Sequence, residues 1–260
     1  MKAKLLGLFL IGGMTYTVSA QENVKYQLPP QSIVDLVDAP STPVVQFNKA
    51  GTLMLILQAP GFASIEDISQ PVIGIAGLKV TPNNNATAAE SAGVYESLII
   101  KEVKSGKESR LSGLPAKYRI TNLRWSPDGN YIAFSNNSLT GVELWMADMK
   151  ALKATRLTNE LLNDAVGTTL QWHPDSKHIL AQFVNTARGA KSAEPMVPTG
   201  PVIQENLGVV TPSRTYQYLL KNAYDEQLMD YYLTSQLKSV DLEGNASNIA
   251  APQIYRSASY

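Results

Sequence analysis

One feature restricts this chain more than any other: a short unit that recurs. Phe47-Asn48-Lys49-Ala50-Gly51-Thr52-Leu53-Met54-Leu55-Ile56, Trp125-Ser126-Pro127-Asp128-Gly129-Asn130-Tyr131-Ile132-Ala133-Phe134 and Trp172-His173-Pro174-Asp175-Ser176-Lys177-His178-Ile179-Leu180-Ala181 share one order. Each runs from an aromatic residue through a polar turn into an apolar stretch. Pro127 presets φ for the first corner, Asp128 can bond its own backbone two residues on, and Gly129 tolerates the positive φ that closes the turn. The unit therefore predicts a β-hairpin.

A second hairpin follows the first. Leu98 to Leu111 aligns without gaps on Leu144 to Leu157, each ending in Arg-Leu, and a looser copy runs from Leu237 to Ile249. Two hairpins make four strands, and Trp125 and Trp172 lie 47 positions apart, the length of one propeller blade. The expected fold is all-β: a partial, incomplete β-propeller of four-stranded blades over 44–260. Charged residues at 17%, with 17 Gly and 15 Pro, suit that class.

The modules are interrupted. Pro82 to Gly93 reads as a loop inside the first blade. Ala187 to Ser213 reads as a long connection. Between Tyr216 and Leu233, apolar residues recur at helical spacing and predict one or two short helices, a helical insertion at about 214–233. Its role is either a lid on the propeller rim or a dock for another domain. Ile254 to Tyr260 looks like the start of a further strand. A ring needs at least about four blades, so about three modules read as a fragment; closure by dimerisation is the alternative.

The first 20 residues read as a signal peptide. Lys2 and Lys4 precede the apolar Leu5–Met14 stretch, and Val18-Ser19-Ala20 is a small-residue cleavage site before Gln21. An uncleaved anchor is the other reading. Residues 21–43 form an N-terminal extension. The expected location is exported, periplasmic or extracellular, with no membrane contact beyond the signal. With 22 basic and 22 acidic residues, the chain offers no electrostatic case for nucleic acid. The absence of cysteine excludes disulfides and thiolate chemistry.

Catalytic chemistry is sought and not found. There is no Gly-x-Ser-x-Gly elbow. The only histidines, His173 and His178, occupy the repeat positions of Ser126 and Tyr131, so both read as turn and strand residues. Five apart and without a third ligand of the usual type, they make a weak zinc case. No catalytic, metal or cofactor-binding residue is assigned. Asp225, Glu226 and Asp230 form an acidic cluster that either binds a substrate amine or is a solvated helix face. Tyr218, Tyr224, Tyr231 and Tyr232 either line a binding surface or pack inward.

Trp125-Ser126-Pro127-Asp128-Gly129 resembles the Pro-Asp propeller repeat of prolyl oligopeptidases, dipeptidyl peptidases and TolB-like proteins. Tyr26 to Pro40 resembles the opening of the glutamyl endopeptidase branch of the prolyl oligopeptidase family. Pro198 to Asn206, Arg214 to Leu220 and Asp225 to Tyr232 are similar to that branch's insertion. The resemblance implies an N-terminal propeller that gates substrate entry to a C-terminal α/β-hydrolase domain, which holds the serine, aspartate and histidine of the peptidase. Peptide substrate and that domain are then the partners, with Arg214, Tyr218, Asp225, Glu226 and Asp230 as candidate contacts. Cleavage after glutamate is implied by the branch alone. The rival reading is a non-catalytic scaffold binding a protein or cell-envelope ligand.

Overall fold

A computed structural model describes residues 27–88, 93–167, 170–197, 200, 207–208 and 216–259; the expected signal segment and Arg214 lie outside them. The chain divides into two units, Met1–Ala39 and Pro40–Tyr260. In the first, α1 (Gln31–Val37) is a two-turn helix with no buried residue.

The second unit holds the repeats. Strands β1 (Val44–Phe47) and β2 (Leu53–Gln58) form a hairpin. An insertion follows: α2 (Ile65–Ile68), then a small antiparallel sheet of β3 (Ile73–Ile75), β4 (Leu78–Thr81) and β5 (Ala86–Thr87). β6 (Ser97–Glu102) and β7 (Glu108–Ser109) complete a four-stranded meander in the order β1-β2-β6-β7. The second meander is β8 (Ile120–Trp125), β9 (Tyr131–Ser138), β10 (Gly141–Asp148) and β11 (Lys153–Leu162). The third begins with β12 (Leu170–Trp172) and β13 (His178–Val184). After α3 (Ala223–Leu233) it continues with β14 (Thr234–Asp241) and β15 (Ala246–Asn248), and β16 (Gln253–Ile254) adds to β14. The second and third meanders touch edge to edge through one pairing, Leu162↔Phe183.

The repeats occupy equivalent places. Phe47 pairs with Met54, Trp125 with Ile132 and Trp172 with Ile179, each aromatic with the seventh residue after it. The turns share their bonds too. Asn48, Ser126 and His173 each donate their backbone N–H to the carbonyl five residues on, at 2.8–3.1 Å. The left-handed position is Gly51 (φ 66°), Gly129 (φ 72°) and, in the third copy, Ser176 (φ 59°). Ser176 is buried there because its Oγ accepts the Asp128 N–H of the neighbouring module at 3.1 Å.

Stacking explains the apolar pattern. One core lies between the first and second modules, with Leu55, Leu57, Leu98 and Ile100 against Ile132, Phe134, Trp145 and Ala147. Another lies between the second and third, with Ala133, Leu144 and Leu162 against Trp172, Ile179, Ala181 and Phe183. Ile132 to Asn136 of β9 are therefore all buried, since neighbours cover both faces. β2 and β14 mostly alternate, because one face of each is covered. The described strands form an open stack of propeller blades.

The structure refines three expectations. The helical insertion is one helix: Asn222, in extended conformation, caps it by accepting the Asp225 N–H at 2.9 Å. Residues 216–222 before it are irregular, and Leu219 and Leu220 are exposed, so their spacing marks no buried face. The stretch from Pro82 is not all loop, because Ala86 and Thr87 add β5 to the small sheet. The segment at Ile254 contains a short strand that pairs with the third meander. β15 pairs only Lys238–Val240 of β14, and β16 takes up Thr234 and Ser235, while Tyr255 packs on Leu180 and Leu237.

Candidate functional site

The insertion between β2 and β6 and the turn preceding β8 line a cleft of about 470 Å³. Its floor is set by a capping box at α2. Ser64 Oγ accepts the Asp67 N–H, and the Asp67 carboxylate accepts the Ser64 N–H. The other oxygen of Asp67 pairs with the Arg119 guanidinium, and both side chains are largely buried. Burial alone would raise the Asp67 carboxyl pKa. The hydrogen bond from Ser64 and the charge of Arg119 outweigh it and hold the group below its usual value.

One wall is the small sheet. Ala76 (φ 50°) and Gly77 (φ 83°) form the two-residue turn between β3 and β4, and Gly77 N–H donates to the Tyr218 carbonyl at 3.2 Å. Tyr218, itself left-handed at φ 56°, lies over Gly74; a β-carbon at Gly74 would overlap the ring. Glycine is thus required for the approach rather than for its own conformation. Lys79 on β4 is exposed and lines the cleft. Asn84 and Asn137 join across it, Nδ2 to Oδ1 at 2.9 Å.

A second hollow of about 720 Å³ shares Lys79, Asn137 and Tyr218 and adds Thr121 and Asn122. The β8–β9 register breaks between Thr121 and Arg124, and Asn122 stands at φ 51°, so a bulge aims this edge at the opening. Exposed ammonium, amide groups and one aromatic face suit an extended peptide with an acidic group. They supply no nucleophile and base in contact.

Behind the cleft, a buried polar network ties the insertion to the blades. Asn85 Nδ2 donates to Asn163 Oδ1 (2.6 Å) and to the Tyr232 carbonyl (3.1 Å). Asn163 Nδ2 donates to the carbonyls of Tyr232 (2.9 Å) and Thr234 (3.1 Å). Arg188 donates to Asn85 Oδ1 (2.6 Å) and the Tyr231 carbonyl (3.0 Å), with its guanidinium 4.1 Å above the Tyr231 ring. A cation beside the last turn of α3 also complements the helix dipole.

The sequence-predicted contacts are dispersed. Tyr218 is on the cleft wall. Asp225 serves the start of α3, accepting the Lys221 N–H at 2.8 Å. Glu226 is exposed on the same turn, and Asp230 lines a separate hollow with Arg188. Tyr232 is buried and edge-on to Tyr231 at 4.9 Å, an inward-packing role; burial raises its hydroxyl pKa. Sequence reasoning missed Lys79 and Arg119, which no motif marks, and Asp67, which the Ser64-x-x-Asp67 capping-box spacing could have marked. It also missed a third ligand type between the two histidines: the Asp175 carboxylate lies between their rings. The Lys177 backbone N–H, followed by both imidazoles, holds that carboxyl well below the usual range. Among the described residues no serine hydroxyl is bonded to His178.

No family model matches the chain. Two curated relatives do. It is 32% identical over 243 residues to the probable chloroplastic glutamyl endopeptidase of Oryza sativa subsp. japonica, and 29% identical over 244 residues to that of Arabidopsis thaliana. Each alignment covers 89% of this chain, which spans about a quarter of the length of those relatives (26% and 25%). Among solved structures, the Pyrococcus horikoshii acylaminoacyl peptidase aligns with a TM-score of 0.38 at 15% identity, over 82% of this chain and 26% of that one. The putative TolB of Agrobacterium tumefaciens aligns with a TM-score of 0.32 at 14% identity, over 84% and 69%. The curated relatives bear out the likeness to glutamyl endopeptidases.

Proposed function

We propose that this chain is the substrate-gating propeller portion of an exported serine peptidase of the prolyl oligopeptidase type, with the catalytic α/β-hydrolase domain outside the sequence given. The observation that carries the reading is the 32% identity to a glutamyl endopeptidase along 89% of the chain; among the described residues the blades bring no serine–histidine–acid set together. In this reading the propeller restricts entry and positions the peptide, and the hydrolase domain supplies nucleophile, base and oxyanion donors. The Lys79–Tyr218 cleft takes an acidic side chain of the peptide, which accords with cleavage after glutamate. Asp67 neutralises Arg119, leaving the Lys79 ammonium as the group that recognises a carboxylate. Export rests on the first 20 residues.

The test uses the longer protein read from the gene. A downstream frame lacking a Gly-x-Ser-x-Gly elbow ends the proposal. With the elbow present, a quenched-fluorescence peptide containing glutamate is cleaved by the full-length protein and not by this chain alone. Lys79→Ala raises KM for that peptide about tenfold with kcat little changed, as expected for lost ground-state binding; an unchanged KM removes the cleft from the reading. Cleavage by this chain alone would refute the gating role.

A further inference from the structure

The turn from β12 to β13 carries chemistry that gating leaves unused. His173 N–H donates to the His178 carbonyl at 2.8 Å, which fixes the two histidines on opposite sides of the hairpin mouth. Their rings stand edge to face, with centroids 6.1 Å apart. The Asp175 carboxylate reaches back between them: Oδ1 lies 3.0 Å from His173 Nδ1, and Oδ2 lies 2.7 Å from His178 Nδ1. One ligand-capable atom from each of the three residues lies within 4.8 Å of the other two.

This convergence is peculiar to the third copy of the turn. In the second copy, Ser126 Oγ donates to Asp128 Oδ1 at 2.6 Å, so the aspartate there closes the turn on a hydroxyl. Asp175 keeps the backbone duty, accepting the N–H groups of Lys177 (2.8 Å) and His178 (3.2 Å) on Oδ1. Both flanking positions, a serine and a tyrosine in the second copy, are imidazoles here. A structural turn has become a set of two nitrogen donors and one carboxylate, held by backbone bonds before any ligand arrives.

We infer that His173, Asp175 and His178 form a site for a divalent transition metal, with zinc as the best fit. Two imidazoles and a carboxylate favour zinc, copper or nickel over magnesium or calcium, which take oxygen donors. Zinc ligands at about 2.0–2.2 Å in tetrahedral geometry lie roughly 3.3 Å from one another. The 2.7 and 3.0 Å separations are a few tenths of an ångström shorter than that, so the side chains open to admit the ion, which replaces the 3.3 Å bond His173 Nδ1 accepts from the Asp175 N–H. All three side chains are at least one-third exposed, so the remaining coordination positions face solvent. The ion would clamp the turn whose Ser176 bonds to the neighbouring module, so binding stabilises the stack as well as the hairpin.

The experiment is calorimetric titration of tag-free, metal-stripped chain with zinc chloride, with magnesium chloride as the control. The expected result is one saturable zinc equivalent, no magnesium binding, and a thermal midpoint raised by zinc. His173→Ser, which installs the residue of the second copy, and His178→Gln each weaken zinc binding by about tenfold or more and abolish the thermal shift. Far-UV circular dichroism of both variants matches that of the parent. Absence of saturable binding, equal binding by the variants, or equal binding by the chain unfolded in urea would overturn the assignment.

Discussion

Trp125 and Trp172 sit at the same place in adjacent modules, yet their indole N–H groups meet opposite fates. Trp172 Nε1 donates to the Arg124 carbonyl at 3.1 Å, and its ring stacks on Tyr131 at 6.3 Å. Trp125 Nε1 is buried with no partner among the described residues. Replacing either by phenylalanine removes about 40 Å² of apolar contact, roughly 1 kcal/mol. Trp172→Phe also deletes a hydrogen bond and strands the Arg124 carbonyl, a further cost of about 1–3 kcal/mol. Trp125→Phe removes an unsatisfied buried donor, a gain of about 1–3 kcal/mol that offsets the lost contact. The expected outcomes are a loss of about 3 kcal/mol for Trp172→Phe and a change within about 1 kcal/mol for Trp125→Phe. At about 2–4 °C per kcal/mol for a chain of this size, the two midpoints separate by roughly 6–12 °C. Urea and thermal unfolding followed by far-UV circular dichroism measure this without using tryptophan emission. Equal losses, or a larger loss for Trp125→Phe, would refute the reasoning.

Three other outcomes follow from buried polar groups. Asn163→Ala takes one acceptor from Asn85 and one donor from each of the Tyr232 and Thr234 carbonyls, and should cost about 2–4 kcal/mol in urea unfolding. Asp67 has a lowered folded pKa, so its contribution is present above the unfolded value of about 4 and is lost as pH falls below it. The stability gap between the parent chain and Asp67→Asn should therefore be full at pH 7 and shrink at pH 3. Ser176→Ala loses the bond from the Asp128 N–H and keeps an unfavourable positive φ, whereas Ser176→Gly loses the bond and relieves the backbone. Thermal denaturation should rank alanine below glycine by about 1 kcal/mol.

The modules were legible because each local cue acts on its own turn. The aromatic-to-seventh pairing follows from a shared turn whose fourth residue after the aromatic is left-handed (Gly51, Gly129, Ser176), and Leu152 holds the left-handed place (φ 50°) of its gapless counterpart Gly106 (φ 72°). The cleft was illegible for the opposite reason. Lys79, Arg119 and Tyr218 are distant in sequence and meet only because the small sheet folds beside the turn before β8. The periodic leucines at 219 and 220 misled because spacing predicts a helix face only where something covers it, and both are exposed. Asp175 escaped notice as a ligand because its position already had a sufficient duty in closing the turn.

Both cores lie between neighbouring blades, and this makes the assembly behave as a short one-dimensional lattice. Each unit is held by its own pairing plus a coupling to whatever sits beside it, so loss of an end unit halves the support of the next. Amide exchange should accordingly be slowest in β9 and β10 and faster toward β1 and β15, with protection falling stepwise by blade.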